Sequence, residues 1–363
     1  LDLAVLAFYK VRGALPLGIS FYTFQAISYV ADTYKNPADG TKNLRETLQY
    51  LTFFPQLTAG PFLKFSALRP YLDRRETTWE KNAQGVRRFV CGLCKKVLLS
   101  TAAAKLADAM FSLASIDALG AWTGALGYCL QLYFDFSGYT DMALGLSLCF
   151  GIRLPENFNS PYLAVSVTDF WRRWHISLSG WFRDYVYIPL GGSRCSRARQ
   201  VLNLFAVWSL TGIWHGANWT FLAWGLWFFV LLTAEKLWLG KALSRLPRVF
   251  GHVYALLAVL IGWIFFRADT IGQAFSFIRY MFVPHSAVVL MERYMNRKLW
   301  MFLAAALLAC GPVQWFWMKW KGRVLAQDGS VTVTSWIGYM AILWFSILLL
   351  VNNTYNPFIY FRF

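Results

Sequence analysis

Long runs without charged residues restrict the fold of this chain more than any other feature. The run 200–234 contains 35 residues and no Asp, Glu, Lys or Arg. A bilayer-spanning helix needs about 20 mainly apolar residues, so this run exceeds one span. Gly212, Gly216 and Asn218 predict a break near its middle. Six more runs reach or approach the length of one span: 13–31, 47–63, 118–134, 249–266, 299–318 and 329–361.

The composition agrees with a membrane protein. Charged residues make up 15% of the chain and hydrophobic residues 57%, whereas soluble domains carry about a quarter charged residues. We therefore predict an all-α, polytopic membrane bundle with about 8 to 10 membrane segments. No repeat or composition shift divides the chain, so residues 1–363 are interpreted as one membrane domain. Because the first residue is Leu, we expect the native protein to have a further N-terminal part.

The net charge of +17 has a topological explanation. The basic residues lie between apolar runs, as in connectors of membrane proteins, and no nucleic-acid-binding signature accompanies them. We therefore do not expect nucleic acid as a partner. Several successive connectors are basic, so the excess of Lys and Arg does not alternate between the two sides of the membrane. The membrane orientation is therefore left open. Among the six Cys, Cys91 and Cys94 form one C-x-x-C, but no second pair or nearby His completes a zinc site, and the four His lack metal-ligand spacing. No metal and no bound cofactor are therefore predicted.

Two segments have unusual patterns for a membrane protein. Run 47–63 contains Pro55, Gly60 and Pro61, which break a straight helix. It predicts a broken or re-entrant segment inside the protein, or alternatively a short span with a loop at 56–61. The connector 64–105 has ten Lys or Arg and three acids. Its apolar spacing predicts an amphipathic helix lying on an anionic leaflet.

The segment 167–194, VTDFWRRWHISLSGWFRDYVYIPLGGSR, concentrates charge among aromatic residues. On one helix, Trp171, His175, Leu178 and Phe182 would share a face. Asp169 would pair with Arg172 or Arg173, which lie three and four residues later. The segment is interpreted as a charged helix packed in the membrane domain, with an interfacial helix without chemistry as the alternative.

Two further sets of ionisable residues lie in apolar surroundings. His215 is the sole ionisable group of the run 200–234, and its flanking glycines predict room for a substrate. An intramembrane histidine that titrates near neutral pH is a candidate proton acceptor, although a structural histidine is the alternative. Asp135 and Asp141 need buried partners; the candidates are the arginines 172, 173 and 183.

These motifs resemble the membrane-bound O-acyltransferase family. The matching stretches are LPLGISFYTFQAISYVADTY (15–34), FFPQLTAGPFLKF (53–65), YFDFSGYTDMALG (133–145), VTDFWRRWHISLSGWFRDYVYIPLGG (167–192), TGIWHGANWTF (211–221) and NPFIYFRF (356–363). Within the family, they resemble most the bacterial branch that O-acetylates alginate. They do not separate that branch from relatives that modify cellulose, peptidoglycan or teichoic acid.

The resemblance implies a ring-shaped helical bundle with a central funnel or tunnel in the bacterial inner membrane, surrounded by lipid. The family's invariant histidine matches His215 and its second position matches His175. It implies acetyl-coenzyme A or an acyl carrier protein as the thioester donor. A periplasmic or extracellular acetyltransferase would act as a relay partner and complete transfer to a polysaccharide.

We assign proton abstraction to His215 and positioning to His175. Eight residues are predicted to support them or the substrates: Asp135, Asp141, Asp169, Arg172, Arg173, Trp174, Trp214 and Asn218. Two other functions remain open. One is a transporter or channel in which the two histidines and two aspartates form an ion path, and the other is a scaffold for polysaccharide export.

Overall fold

A computed structural model describes residues 16, 18–113, 115–283, 297–311, 333–352 and 358. These residues are mostly helical and form no strand, which confirms the all-α prediction for this part of the chain. The helices are α1 (Ile19–Lys35), α2 (Leu44–Leu51), α3 (Phe54–Leu57), α4 (Phe65–Asp73), α5 (Trp79–Cys94), α6 (Thr101–Phe111), α7 (Ala118–Cys149), α8 (Val167–Arg173), α9 (Ile176–Phe182), α10 (Arg197–His215), α11 (Trp219–Ala234), α12 (Gly240–Ser244), α13 (Arg248–Arg267), α14 (Ile271–Phe282), α15 (Arg297–Ala309) and α16 (Val333–Asn352). Wider π-helical turns join α5 to α6, extend α9, and join α11 to α12.

Helix α7 is the central element of the fold. It has 32 residues, a length of about 48 Å, and is buried on nearly every side. Helix α5 packs along it through paired glycines. A Cβ on Gly92 would lie 2.5 Å from the Gly138 carbonyl oxygen, and a Cβ on Gly85 would lie 2.5 Å from that of Gly145. Small residues at both positions therefore let the two backbones touch, as in membrane helix pairs.

The basic connector contains the helix that the sequence predicts, α5, and three of its cations pair with acids; its position on a lipid leaflet stays a prediction. The guanidinium of Arg88 lies 2.9 Å from Asp141 on α7, and Lys95 lies 2.6 Å from the same carboxylate. Lys96 pairs with the buried Asp135. Because these cations pair with acids of α7, they hold α5 and the turn that follows it against α7.

The segment with Pro55 and Pro61 is broken, as predicted. Helices α2, α3 and α4 follow one another with a non-helical stretch before α4. The fully buried Gln56 holds this turn, because its amide donates to the Tyr50 carbonyl at 3.1 Å and accepts from the Leu63 N–H at 3.3 Å.

The outer surface is compatible with lipid. Two continuous helices of the described chain, Trp219–Ser244 and Arg248–Arg267, are long and apolar enough to cross a bilayer, and Leu299–Ala309 and Trp336–Val351 are shorter apolar helices. Large apolar side chains are exposed along α16, including Trp344 at 65%. Exposed apolar surface of this extent marks an interaction with lipid or with protein. The number of spans and the central funnel or tunnel stay predictions.

Candidate active site

The helix predicted in the segment 167–194 is interrupted at His175. Helix α8 ends at Arg173, and α9 begins at Ile176. His175 between them has φ 44° and ψ 54°, the left-handed region. The prediction that Trp171, His175, Leu178 and Phe182 share one helix face is therefore wrong. The cause is tertiary, since Trp174 pairs in extended form with Phe158 from the preceding loop.

Asn157 holds the His175 ring. The Asn157 side-chain oxygen lies 3.2 Å from His175 Nδ1, and it accepts from the Ser177 N–H at 3.1 Å and the Ser177 hydroxyl at 2.9 Å. A backbone N–H can only donate, so the atom facing it is the oxygen, and Nδ1 must carry the proton. The lone pair of the ring is then on Nε2. Sequence reasoning missed Asn157, which has no charge and no nearby motif.

Glu235 is a second residue that sequence reasoning missed. Its carboxylate accepts from the Val167 N–H at 2.6 Å, from the Thr168 N–H at 2.9 Å and from the Thr168 hydroxyl at 2.5 Å. It therefore caps the first turn of α8 with negative charge, where helix N–H groups lack partners. Its signal in the sequence is that it ends the 35-residue uncharged run.

His215 is the last residue of α10 and lies in an aromatic cage. The cage is formed by Trp214, Trp224, Phe266 and Phe221, at centroid distances of 4.7, 4.9, 5.0 and 6.5 Å from the imidazole. His215 is 5% exposed. The imidazole is thus surrounded by apolar rings, as its isolation in the sequence suggests.

The glycines beside His215 do not make room for a substrate, contrary to the prediction. A Cβ on Gly216 would lie 2.4 Å from the Phe221 ring, and one on Gly212 would lie 2.6 Å from the Phe221 carbonyl oxygen. Protein already fills both spaces. These glycines instead allow α11 to pack tightly against α10 after the predicted break, which lies between His215 and Trp219.

The two histidines belong to one buried aromatic cluster. Phe62 stacks on His175 at 6.3 Å. Phe62 also contacts Phe24 at 6.0 Å, and Phe24 contacts Trp214, the neighbour of His215, at 5.2 Å. The structure therefore connects the two histidines, which lie in separate motifs, through the rings of Phe62, Phe24 and Trp214.

The predicted partners of the α7 carboxylates are wrong. Asp135 is paired with Lys96 and Asp141 with Arg88 and Lys95, whereas arginines 172, 173 and 183 lie elsewhere. These pairs connect α5 to α7, which favours a structural role. The local prediction for Asp169 is confirmed, because its carboxylate lies 2.8 Å from the Arg173 guanidinium.

The other predicted residues are distributed around the cluster. Trp174 is buried beside Trp263 at 5.0 Å. Asn218 caps α11 by accepting from the Thr220 N–H at 3.2 Å and donates to the Asp269 carbonyl at 2.7 Å. Arg172 is exposed at the edge of a cavity of about 750 Å³ beside α8. Among the described residues, no three His, Cys, Asp or Glu side chains group as metal ligands.

The described helices form a bundle in which two histidines are buried among aromatic rings. The chain belongs to the membrane-bound O-acyltransferase family, whose model matches residues 38–266. It is 46% identical over 268 residues to the probable alginate O-acetylase AlgI of Azotobacter vinelandii, covering 74% of this chain and 54% of that protein. To the Pseudomonas putida protein of the same name it is 39% identical over 371 residues, covering 96% and 75%.

A relative named for a different acceptor is also similar. The peptidoglycan O-acetyltransferase of Helicobacter pylori is 38% identical over 298 residues, covering 74% of this chain and 56% of that protein. The chain thus spans about half the length of the Azotobacter and Helicobacter relatives.

Proposed function

We propose that this protein is an integral-membrane O-acyltransferase of the bacterial inner membrane that modifies a cell-surface polysaccharide. It would transfer an acyl group, acetyl in the first instance, from a thioester to a hydroxyl acceptor. The observation that carries the proposal is the burial of His175 and His215 in one aromatic cluster. The relatives support the chemistry, since their names describe O-acetylation of alginate or peptidoglycan.

His215 is the general base in the proposed reaction. An alcohol is a weak nucleophile, and imidazole takes up a proton near neutral pH. The alcohol proton moves to His215, the alcohol oxygen bonds to the thioester carbonyl carbon, and the C–S bond breaks. The proton then leaves with the thiolate, which restores neutral His215. The aromatic cage keeps water away and so limits hydrolysis.

His175 positions the reactants. Asn157 fixes its ring and places the lone pair on Nε2, where it can accept a hydrogen bond from the acceptor hydroxyl. Pre-orientation of this kind reduces the entropy lost on reaching the transition state.

The donor is proposed to be acetyl-coenzyme A or an acyl carrier protein, bound beside α8. The cavity of about 750 Å³ there is lined by Arg172, Lys236 and Arg248, whose charges suit the phosphates of either donor. Within the described residues, Arg172 and Arg248 have no carboxylate at ion-pair distance. This cavity replaces the basic connector as the proposed donor site, since Arg88, Lys95 and Lys96 face acids of α7.

The experiment is acyl transfer from labelled acetyl-coenzyme A by purified, monodisperse protein, measured as labelled product and released thiol. His215→Ala should lower turnover by about 10²–10⁴-fold. His252→Ala is the matched control, because His252 hydrogen-bonds the Ala164 carbonyl at 2.9 Å, away from the cluster. Normal turnover in His215→Ala would remove the mechanism.

A relay partner is part of the proposal. A periplasmic or extracellular acetyltransferase would carry the acyl group to the polymer, and co-purification with this protein is the measurement. Complete acetylation of the polymer by this protein alone would show that no relay is needed. The transporter alternative lacks similar support, because Asp135 and Asp141 are held in ion pairs.

A further inference from the structure

Helices α10, α11 and α13 form an antiparallel group. Residues 216–218 join α10 to α11, which packs back along it. Phe221 near the start of α11 contacts Phe266 near the end of α13 at 5.0 Å, and further along α11 the Trp227 indole donates to the Ala258 carbonyl at 2.8 Å. The start of α10, the segment that follows α11 and the start of α13 therefore lie at the same end of the group.

Helix α13 has the length of one membrane span. Its 20 residues extend about 30 Å, which matches the hydrocarbon core of a bilayer. A helix of this length places its two ends at the level of the lipid head groups. Charged side chains at either end of the group can therefore meet phosphates of the membrane.

The two ends carry different charges. At the end with residues 216–218, Asp269 accepts from the Asn218 amide through its backbone carbonyl, and Asp108 pairs with Arg267 at 2.9 Å. At the other end acids are scarce, because the only acid in the sequence between Asp184 and Asp269 is Glu235. The Glu235 carboxylate is occupied by the N-terminal N–H groups of α8. The end at which α10 and α13 begin is therefore strongly positive.

Four exposed cations at this positive end form what we call the basic rim: Arg194, Arg197, Lys241 and Arg245. In the part of the chain that the structure describes, none of the four has a carboxylate within ion-pair distance. Two hydrogen bonds connect the halves of the rim. The Lys236 ammonium donates to the Tyr187 hydroxyl at 2.8 Å, and that hydroxyl lies 3.1 Å from the Ser193 hydroxyl.

Large apolar side chains lie exposed beside these cations. Trp238 is 62% exposed, Leu246 50% and Phe250 55%. Cations next to exposed aromatic and aliphatic side chains are typical of a surface at the membrane interface, where the rings enter the head-group layer. This mixture favours a lipid over a soluble acidic protein as the partner of the rim.

We propose that the basic rim binds the phosphate groups of anionic phospholipids, such as phosphatidylglycerol. Guanidinium and ammonium groups form charge-assisted hydrogen bonds with phosphate oxygens. The cations of the connector differ from those of the rim, because Arg88, Lys95 and Lys96 are paired with acids of α7. The rim is thus the surface that anchors the α10, α11 and α13 group to an anionic leaflet.

The experiment measures lipid binding directly and needs no turnover. Purified protein in a neutral detergent is titrated with dioctanoyl phosphatidylglycerol, and bound lipids are counted by native mass spectrometry. Phosphatidylglycerol should bind more tightly than dioctanoyl phosphatidylcholine, which has no net charge. Lys241→Gln and Arg245→Gln should each weaken binding of phosphatidylglycerol by about fivefold, and the double variant by about 25-fold.

Two further variants separate charge at the rim from other effects. Arg245→Lys keeps the charge and should bind phosphatidylglycerol within about twofold of the unaltered protein. Lys105→Gln is the matched control, because Lys105 is exposed on α6 three residues before Asp108, at the opposite end of the group. It should leave binding unchanged. All variants should keep the thermal midpoint without added lipid, because the substituted side chains are exposed.

Three results would overturn the proposal. The first is equal affinity of the unaltered protein for the two lipids, or normal binding of phosphatidylglycerol by the double variant. The second is equally tight binding of glycerophosphoglycerol, the deacylated head group, which would indicate a site for a soluble phosphate. The third is a double variant that binds the lipid normally and loses affinity for a purified acidic acyl carrier protein, which would make the rim a protein-docking surface.

Discussion

Replacement of Asn157 by alanine tests how the His175 ring is held. The Asn157 oxygen accepts from His175 Nδ1, the Ser177 N–H and the Ser177 hydroxyl. The hydroxyl can rotate to another partner and the imidazole can move its proton to Nε2, but the Ser177 N–H is fixed. A donor left unsatisfied costs about 1–3 kcal/mol, so Asn157→Ala should lower the free energy of unfolding by about that amount.

The same substitution releases the ring. Misplacement of a catalytic group by about 1 Å costs roughly 100-fold in rate, so kcat should fall by about that factor in the folded fraction. Ser177→Ala is the control, because it removes one of three donors and leaves the acceptor occupied. It should cost about 0.5–1.5 kcal/mol and change kcat by less than about threefold.

Thermal unfolding in detergent and acyl transfer from labelled acetyl-coenzyme A are measured on the same preparations. Equal midpoints and equal kcat for Asn157→Ala and the unaltered protein would refute the role of this hydrogen-bond set. A large loss of stability with normal kcat in the folded fraction would show that Asn157 supports the loop and not the imidazole.

Three further substitutions probe other contacts. Glu235→Gln should lower the thermal midpoint by an amount that corresponds to about 1–3 kcal/mol, because one carboxylate oxygen is replaced by a group that cannot accept; an unchanged midpoint would contradict the cap. Gly92→Ala should cost about 1–3 kcal/mol, since its Cβ would lie 2.5 Å from the Gly138 carbonyl oxygen. Gly338→Ala meets nothing within 4 Å and removes the entropic penalty of a helical glycine, so it should stabilise by about 0.5–1 kcal/mol in the same unfolding measurement. His175→Asn should retain more turnover than His175→Ala in the acyl-transfer assay, because asparagine tolerates the left-handed backbone and keeps a hydrogen-bonding side chain; equal losses would argue against that role.

Several local features could be read from the sequence. Pro55 and Pro61 predict a broken segment because proline removes a helical donor and restricts the backbone. The pair Asp169–Arg173 follows from helix spacing alone, since residues four apart are neighbours on a helix surface. The break after His215 likewise follows from nearby glycine and asparagine.

The ion-pair partners of the buried carboxylates could not be predicted in the same way. The acids Asp135 and Asp141 had many possible cations among 35 Lys and Arg, and the arginines of the nearest motif were the wrong choice. The contact between α5 and α7 determines which cations reach these acids, because glycines at 92 and 138 bring the two backbones together. A sequence pattern shows which residues lie on one helix, but it does not show which helix lies opposite.

The sequence by itself determined that the chain is helical, apolar and equipped with two histidines in separate motifs, because periodicity, charge and proline act over a few residues. Only the tertiary structure decided what surrounds those histidines. The left-handed backbone at His175 and its bond to Asn157 come from a loop that precedes α8. Phe221 fills the space that the glycine beside His215 would otherwise leave to a substrate. These contacts join residues from different helices, and packing of the whole bundle selects them.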